Sequence, residues 1–298
     1  MRDMLARLAV MLGALLWGTL AIFVKKLTYY GFTEMEIVTI RVTGAFICFI
    51  PIAIAANSKG QMQVQLRHIW YFIGTGLFSI AFFNWAYFTA MNMMSISIAV
   101  MLLYTGPAFV VVLSNLFLKE RLTGKKLAAV LMTVTGCAVI ALSGDNSSGN
   151  WTLLGFVIGL CSGLGYALYS IFSKLALRKY NSMTITLYTF LIASICLLPF
   201  FPFWKKTFGL PLEGWLYIVG LGLIPTVIAY LLYTTGLSKV ETSTASILAT
   251  VEPVAAVIIG ILLFHEQLYG GQLAGASMIV SSILIISYER KTKKELFL

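Results

Sequence analysis

Two charged residues stand inside otherwise apolar runs, and they are the ones best placed to do chemistry. Glu252, immediately before Pro253, lies deep in the run 243–264, and Arg41 lies several residues into the run 35–55. A charge at the centre of a bilayer costs roughly 2.5–3.5 kcal/mol on insertion scales unless it is paired, hydrated or neutralised. Proline has no N–H to donate, so Pro253 frees a carbonyl one turn earlier and lets a helix bend there and expose polar backbone. Glu252 can therefore bind an amine or exchange a proton; equally, it can cap a broken helix or pair with Arg41. Arg41 can bind a substrate carboxylate, reach the headgroups at the nearer interface, or pair with Glu34 or Glu36. The matching position of the run 96–118 is Gly106-Pro107, which keeps the proline and lacks the carboxylate.

A second set of residues is polar and aromatic. Asn84, Tyr87 and Met91 are spaced to share one helical face, and Tyr230 and Tyr233 are their partners later in the chain. Tyr104, Tyr166 and Tyr169 add hydroxyls at similar depth. A tyrosine far from the interface needs a partner for its hydroxyl, and a wet cavity supplies one. Each ring alone reads as helix packing; as a group they read as the lining of a cavity suited to amino acids or other amphipathic metabolites.

Other chemistries find little support. An intramembrane enzyme needs paired carboxylates, a Ser/Lys or Ser/His arrangement, or metal ligands, whereas Glu252 stands alone and His68 and His265 lie at run ends in different loops. No Gly-rich loop followed by Lys and Ser/Thr is present, which argues against an ATP-driven pump. Cys48, Cys137, Cys161 and Cys196 lie within apolar runs, without metal-ligand spacing, and read as small packing residues. No cofactor or metal is expected.

The framework around these residues is set by composition. Of 298 residues, 59% are hydrophobic and 11% charged, with a mean hydropathy of +0.92, whereas a soluble domain carries roughly a quarter charged residues. The apolar runs, 8–24, 35–55, 69–90, 96–118, 127–143, 153–173, 183–203, 215–235, 243–264 and 271–288, have the length that crosses a bilayer core as helix. An all-α membrane protein of ten spans is expected. The net charge of +10 sits at span ends, so it reads as a topology signal and not as a nucleic-acid surface. With the N-terminus inside, sixteen Lys and Arg fall in inner segments against four outside, namely Lys25, Lys26, Lys205 and Lys206, which places both termini in the cytoplasm. The N-terminus runs into the first span without a small-residue cleavage site and reads as retained. Trp70, Trp151, Trp204 and Trp215 lie at span ends, as interfacial anchors do. The basic tail from Glu289 to Leu298 reads as a solvated cytoplasmic end.

The chain also repeats itself. Leu118-Lys119-Glu120-Arg121-Leu122-Thr123-Gly124 aligns with Phe264-His265-Glu266-Gln267-Leu268-Tyr269-Gly270 at an offset of 146, which also pairs Pro107 with Pro253 and Tyr87 with Tyr233. Near the start of each half, Ile47-Cys48-Phe49-Ile50-Pro51 resembles Ile195-Cys196-Leu197-Leu198-Pro199. Five spans per half is odd, so the second copy must lie inverted. The first Glu-x-Leu-x-Gly loop is strongly basic and its copy, expected outside, carries no Lys or Arg. Inverted repeats, here 1–145 and 146–298, are the architecture of alternating-access carriers with a midplane site. Small-residue positions such as Gly271 with Gly275, and Ser162-Gly163 with Gly165, read as packing features.

These residues resemble a known family. Trp17-Gly18 with Lys25 in the first span, Arg41 in the second, and a proline followed by a Leu/Phe-x-Glu-x-Leu ending in the fourth and ninth fit the EamA pattern of the drug/metabolite transporter superfamily. The second half departs from it, with Tyr166-Ala167 where Trp17-Gly18 stands and Thr189 where Arg41 stands. The resemblance covers essentially the whole chain. It implies carriage, often export, of small metabolites such as amino acids without ATP hydrolysis, in a cell inner or plasma membrane. It adds Trp17 to the cavity lining and favours a gating or coupling role for Glu252, Pro253, Pro107 and Arg41. The expected partners are a small-molecule substrate and the lipid bilayer. A lipid-handling or scaffold protein is the alternative, and an intramembrane enzyme a remoter one.

Overall fold

The structure is a computed structural model and describes residues 2–56, 63–143, 152–264 and 269–287. Nine helices in it are long and apolar enough to cross a membrane. They are α1 (Asp3–Tyr29), α2 (Glu34–Ile52), α3 (Leu66–Met93), α4 (Ile96–Leu118), α5 (Gly124–Ser143), α6 (Leu153–Ala176), α8 (Leu212–Leu237), α9 (Thr242–Phe264) and α10 (Gly270–Ser287). The tenth apolar helix, α7 (Ser182–Leu197), is shorter. Its run was expected to continue to 203, but Pro199 and Pro202 come next, and a proline ring cannot continue the hydrogen-bond ladder. No strand occurs among the described residues. The chain is an all-helical, multi-pass membrane protein.

Helix pairing is unchanged when the two halves are exchanged. Helix α1 packs on α8 as α6 packs on α3, and α9 packs on α1 as α4 packs on α6, while α2–α7 and α5–α10 pair across the halves. Lipid tails give two apolar helices little hydrophobic reason to associate, so close backbone approach has to supply the attraction. Gly136 and Gly275 provide it between α5 and α10: a Cβ on Gly136 would lie 2.8 Å from the carbonyl oxygen of Gly275. Gly163 likewise sits against Leu102 and Thr105 of α4. Trp70, Trp204 and Trp215 are exposed at helix ends; Trp151 and the tail from Glu289 lie outside the described residues.

Local irregularities shape the centre of the bundle. Three helices are interrupted, α1 at Thr19, α4 at Tyr104-Thr105 and α9 at Thr250. At each break a threonine hydroxyl donates to the carbonyl three residues back, Thr19 to Leu16, Thr105 to Leu102 and Thr250 to Ile247, all at 2.6 Å. Each carbonyl also accepts the backbone N–H of the same threonine, so the hydroxyl finds its acceptor within its own turn, as a polar group in a medium without water must. The breaks in α4 and α9 lie just before Pro107 and Pro253, whereas α6, the repeat partner of α1, is continuous from Leu153 to Ala176. Two π-helical stretches, Gly74–Ala81 in α3 and Leu223–Ile228 in α8, occupy overlapping repeat positions.

Candidate functional site

The breaks and wide turns surround two adjoining cavities. The larger, of about 480 Å³, runs from Glu34 and Gln272 at one end of the bundle to Glu252 near its middle, and its walls include Arg41, Asn84, Tyr87, Met91, Tyr104 and Pro253. The smaller, of about 50 Å³, lies deeper and is lined by Trp17, Arg41, Tyr166, Tyr169, Tyr230, Tyr233 and Glu252. Leu20, Arg41, Phe83 and Glu252 belong to both walls and form the divide. Eleven of the twelve residues assigned from sequence to lining or gating therefore border one or both of these adjoining cavities. The twelfth, Pro107, is buried in the first turn of the second segment of α4 and borders neither cavity.

Each position has a local cause. The break at Thr250 starts a new helical segment at Val251, so Glu252 lies in the first turn of that segment. Arg41 sits seven residues after Glu34, about 10 Å along the α2 axis. The π-helical stretches end just before Asn84 and just before Tyr230, and wide turns of this kind re-aim the side chains that come after them. Asn84 donates to the Ile80 carbonyl at 2.7 Å.

The polar groups divide into satisfied and unsatisfied ones. Tyr169 pairs with the Thr234 hydroxyl and Tyr233 with the Ser170 hydroxyl, each at 2.7 Å. Protein partners thus take the place expected of cavity water for these two rings. Trp17 meets Tyr230 and Tyr233 with ring centroids 5.0 Å away in both cases, and Tyr169 meets Tyr230 edge-on at 5.0 Å. The indole N–H of Trp17 and the Nε and Nη2 of Arg41, by contrast, are buried with no hydrogen-bond partner among the described residues. Arg41 does not pair with Glu36, whose carboxylate is taken by Lys206 at 2.6 Å and by Thr33. Neither Arg41 nor Glu252 makes an ion pair within the described residues.

At the opposite end of the bundle, helices are tied together by groups that sequence reading did not single out as a site. Glu120, two residues beyond the end of α4, accepts hydrogen bonds from the backbone N–H of Thr242 and from the N–H and hydroxyl of Ser243. Helix α9 is therefore capped at its N-terminus by a carboxylate from the end of α4, which also favours the positive end of the helix dipole. Lys126 completes the cluster, 2.9 Å from Glu241 and 3.8 Å from Glu120. Lys174 donates to the carbonyls of Leu237 and Val240, both at 2.6 Å, tying α6 to the α8–α9 connection. Burial alone would push the Glu120 carboxyl up, yet the donors on Ser243 and Thr242 hold it below the ordinary carboxylate value. Among the described residues no cluster of His, Cys, Asp or Glu could hold a metal ion.

Comparison with known proteins decides what kind of machine this is. The profile of the EamA-like transporter family matches residues 4–142 and again 153–288. The chain belongs to this family. An uncharacterized transporter of Archaeoglobus fulgidus is 28% identical over 281 residues, 93% of this chain and 94% of that protein. A probable terminal-alkyne amino-acid exporter of Streptantibioticus cattleyicolor is 23% identical over 190 residues, 63% of each protein. A crystal structure superposes with a TM-score of 0.77 at 20% identity, covering 95% of this chain and 96% of the other, a likeness of fold alone. As an EamA-like protein the chain is a membrane transporter and not an enzyme.

Proposed function

We propose that this EamA-like transporter is a secondary carrier that exports small metabolites such as amino acids by alternating access between its two halves. The observation that carries the reading is the asymmetry of the central space. A cavity of about 480 Å³ reaches Glu252 from the Glu34–Gln272 end, while the Glu120–Ser243 bonds join α4 to α9 at the other end. A path open from one side and sealed at the other is what a carrier must present in each of its states. With both termini cytoplasmic, as the excess of inner Lys and Arg favours, the open end faces outward. In this reading Glu252 and Arg41 meet the substrate at the divide between the cavities, the tyrosines contact its body, and the breaks before Pro107 and Pro253 let α4 and α9 bend. The name of the Streptantibioticus relative supports an amino-acid-like substrate.

Counterflow in proteoliposomes tests the proposal: vesicles are preloaded with one compound from a panel of amino acids and related metabolites, and uptake of its labelled form is followed. Saturable exchange of one chemical class is expected. Folded protein that exchanges nothing across the panel would shift the reading to lipid handling or scaffolding.

A further inference from the structure

Trp17 and Arg41 both border the deeper cavity, and three of their donors, the Trp17 indole N–H and the Nε and Nη2 of Arg41, are buried with no hydrogen-bond partner among the described residues. Trp17 is 6% exposed and Arg41 7%, so bulk water does not serve them. A buried donor without an acceptor forfeits its full hydration, and native structures rarely leave one so. On Arg41 the two idle nitrogens are not an arbitrary pair. Nε–H and Nη2–H point the same way along one edge of the guanidinium, the edge that takes both oxygens of a carboxylate in parallel bonds. The cavity they border, about 50 Å³, has room for a few waters or one small planar group. It adjoins the larger cavity across Leu20 and Phe83, so a group bound there continues outward into space for a substrate body. Glu252 borders both cavities, and an ionised carboxylate there opposes any anion, a doubly charged one more than a singly charged one.

We propose that the deeper cavity is an anion subsite in which the side-on edge of Arg41 and the Trp17 indole N–H hold the single carboxylate of the transported compound. The inference rests on reading the larger cavity as the substrate path, and it adds a requirement that reading does not contain: the substrate is a carboxylate with its acidic end innermost. An ester, an amide or a free amine of the same carbon skeleton then loses its anchor.

Acetate is the probe. The full chain is labelled with 5-fluorotryptophan, its Trp17 fluorine resonance is assigned by loss in Trp17→Phe, and acetate, acetamide and methylammonium are titrated into purified protein in nanodiscs. Acetate alone is expected to shift the Trp17 resonance saturably. Arg41→Lys keeps the charge but not the parallel donors and should weaken the response by roughly tenfold or more; Arg41→Gln should abolish it. A response equal for acetamide, a response undiminished in both Arg41 variants, or no saturable shift with acetate would each overturn the subsite and leave water as the occupant. Counterflow keeps the two ideas apart. Exchange of a compound without a carboxylate retains the carrier and removes the subsite. A Trp17 response without any exchange retains the subsite and removes the carrier.

Discussion

The Glu120 carboxylate bonds Ser243 twice, taking its backbone N–H at 3.0 Å and its hydroxyl at 2.6 Å, although the two residues stand 123 positions apart. The carboxylate is also within 3.8 Å of Lys126, and its side chain is only 10% exposed. Breaking such a cap leaves the first N–H groups of α9 without acceptors at the closed end of the bundle. Glu120→Ala should destabilise the closure by about 1–3 kcal/mol, the range for a buried donor left unpaired. The check is maleimide labelling of a cysteine placed at Thr244, which is buried beside the cap. Labelling should accelerate roughly fivefold or more, while labelling unchanged from the parent would show that the cap does not hold this end shut.

The same carboxylate gives the closure a pH dependence of known sign. Its donors keep the Glu120 carboxyl below the ordinary value of 4.5 despite burial. A depressed value means that the closed arrangement is favoured in full above the unlatched carboxyl's own value. That advantage fades as the pH falls through the lowered one. Labelling at position 244 should therefore rise with acid below about pH 4.5 relative to Glu120→Gln, which has no proton to gain at that position. Parallel pH profiles for the two proteins would contradict this.

Glu252 is the carboxylate at the divide between the two cavities, and its loss bears on transport more than on folding. Glu252→Gln keeps the volume and removes the ionisable carboxyl. Counterflow should fall by roughly tenfold or more, with the melting temperature held near that of the parent. Undiminished exchange in the variant would remove Glu252 from the cycle.

Stability should respond sharply where α5 meets α10. A side chain on Gly136 has nowhere to go, since even its Cβ would sit 2.8 Å from the Gly275 carbonyl oxygen and 3.0 Å from Ile279. Gly136→Leu should cost about 1–3 kcal/mol through overpacking and separate the two helices. A thermal melt in detergent reads this directly, and Gly124→Ala, where nothing lies within 4 Å of the added carbon, is the control.

Hydropathy made nine of the ten apolar helices legible within a few residues, because lipid forces the backbone to satisfy itself inside long apolar helices. The seventh ends early at Leu197, and Pro199 was visible as the reason. The offset of 146 paired Pro107 with Pro253 and a bend was expected at Pro253; the breaks in α4 and α9 fall just ahead of both prolines. The break at Thr19 had no such marker, since threonine is common in unbroken helices. The π-helical stretches were equally silent: one extra residue in a turn changes no composition and hardly disturbs periodicity. Glu120 was noticed only as part of a repeated loop sequence. Its bonds to Thr242 and Ser243 depend on how α4 and α9 are brought together, which no local pattern encodes. The unpartnered edge of Arg41 was likewise invisible, because a sequence shows that a charge is buried but not which of its nitrogens go unanswered.

The wide turns of α3 and α8 have a further consequence, in the angular phase of the helices. Each residue in an α-helix advances the next by about 100°. Winding Gly74–Ala81 as ordinary helix with its residue count unchanged would rotate the face bearing Asn84 and Tyr87 by roughly that amount relative to the stretch before it. The same rewinding of Leu223–Ile228 would turn Tyr230 and Tyr233 in the same manner. Each half thus carries a wide turn that works like a keyway, fixing which side of the helix looks inward: a chain that lost one residue there and closed to ordinary winding would keep the same wall, and one that closed without the loss would present another.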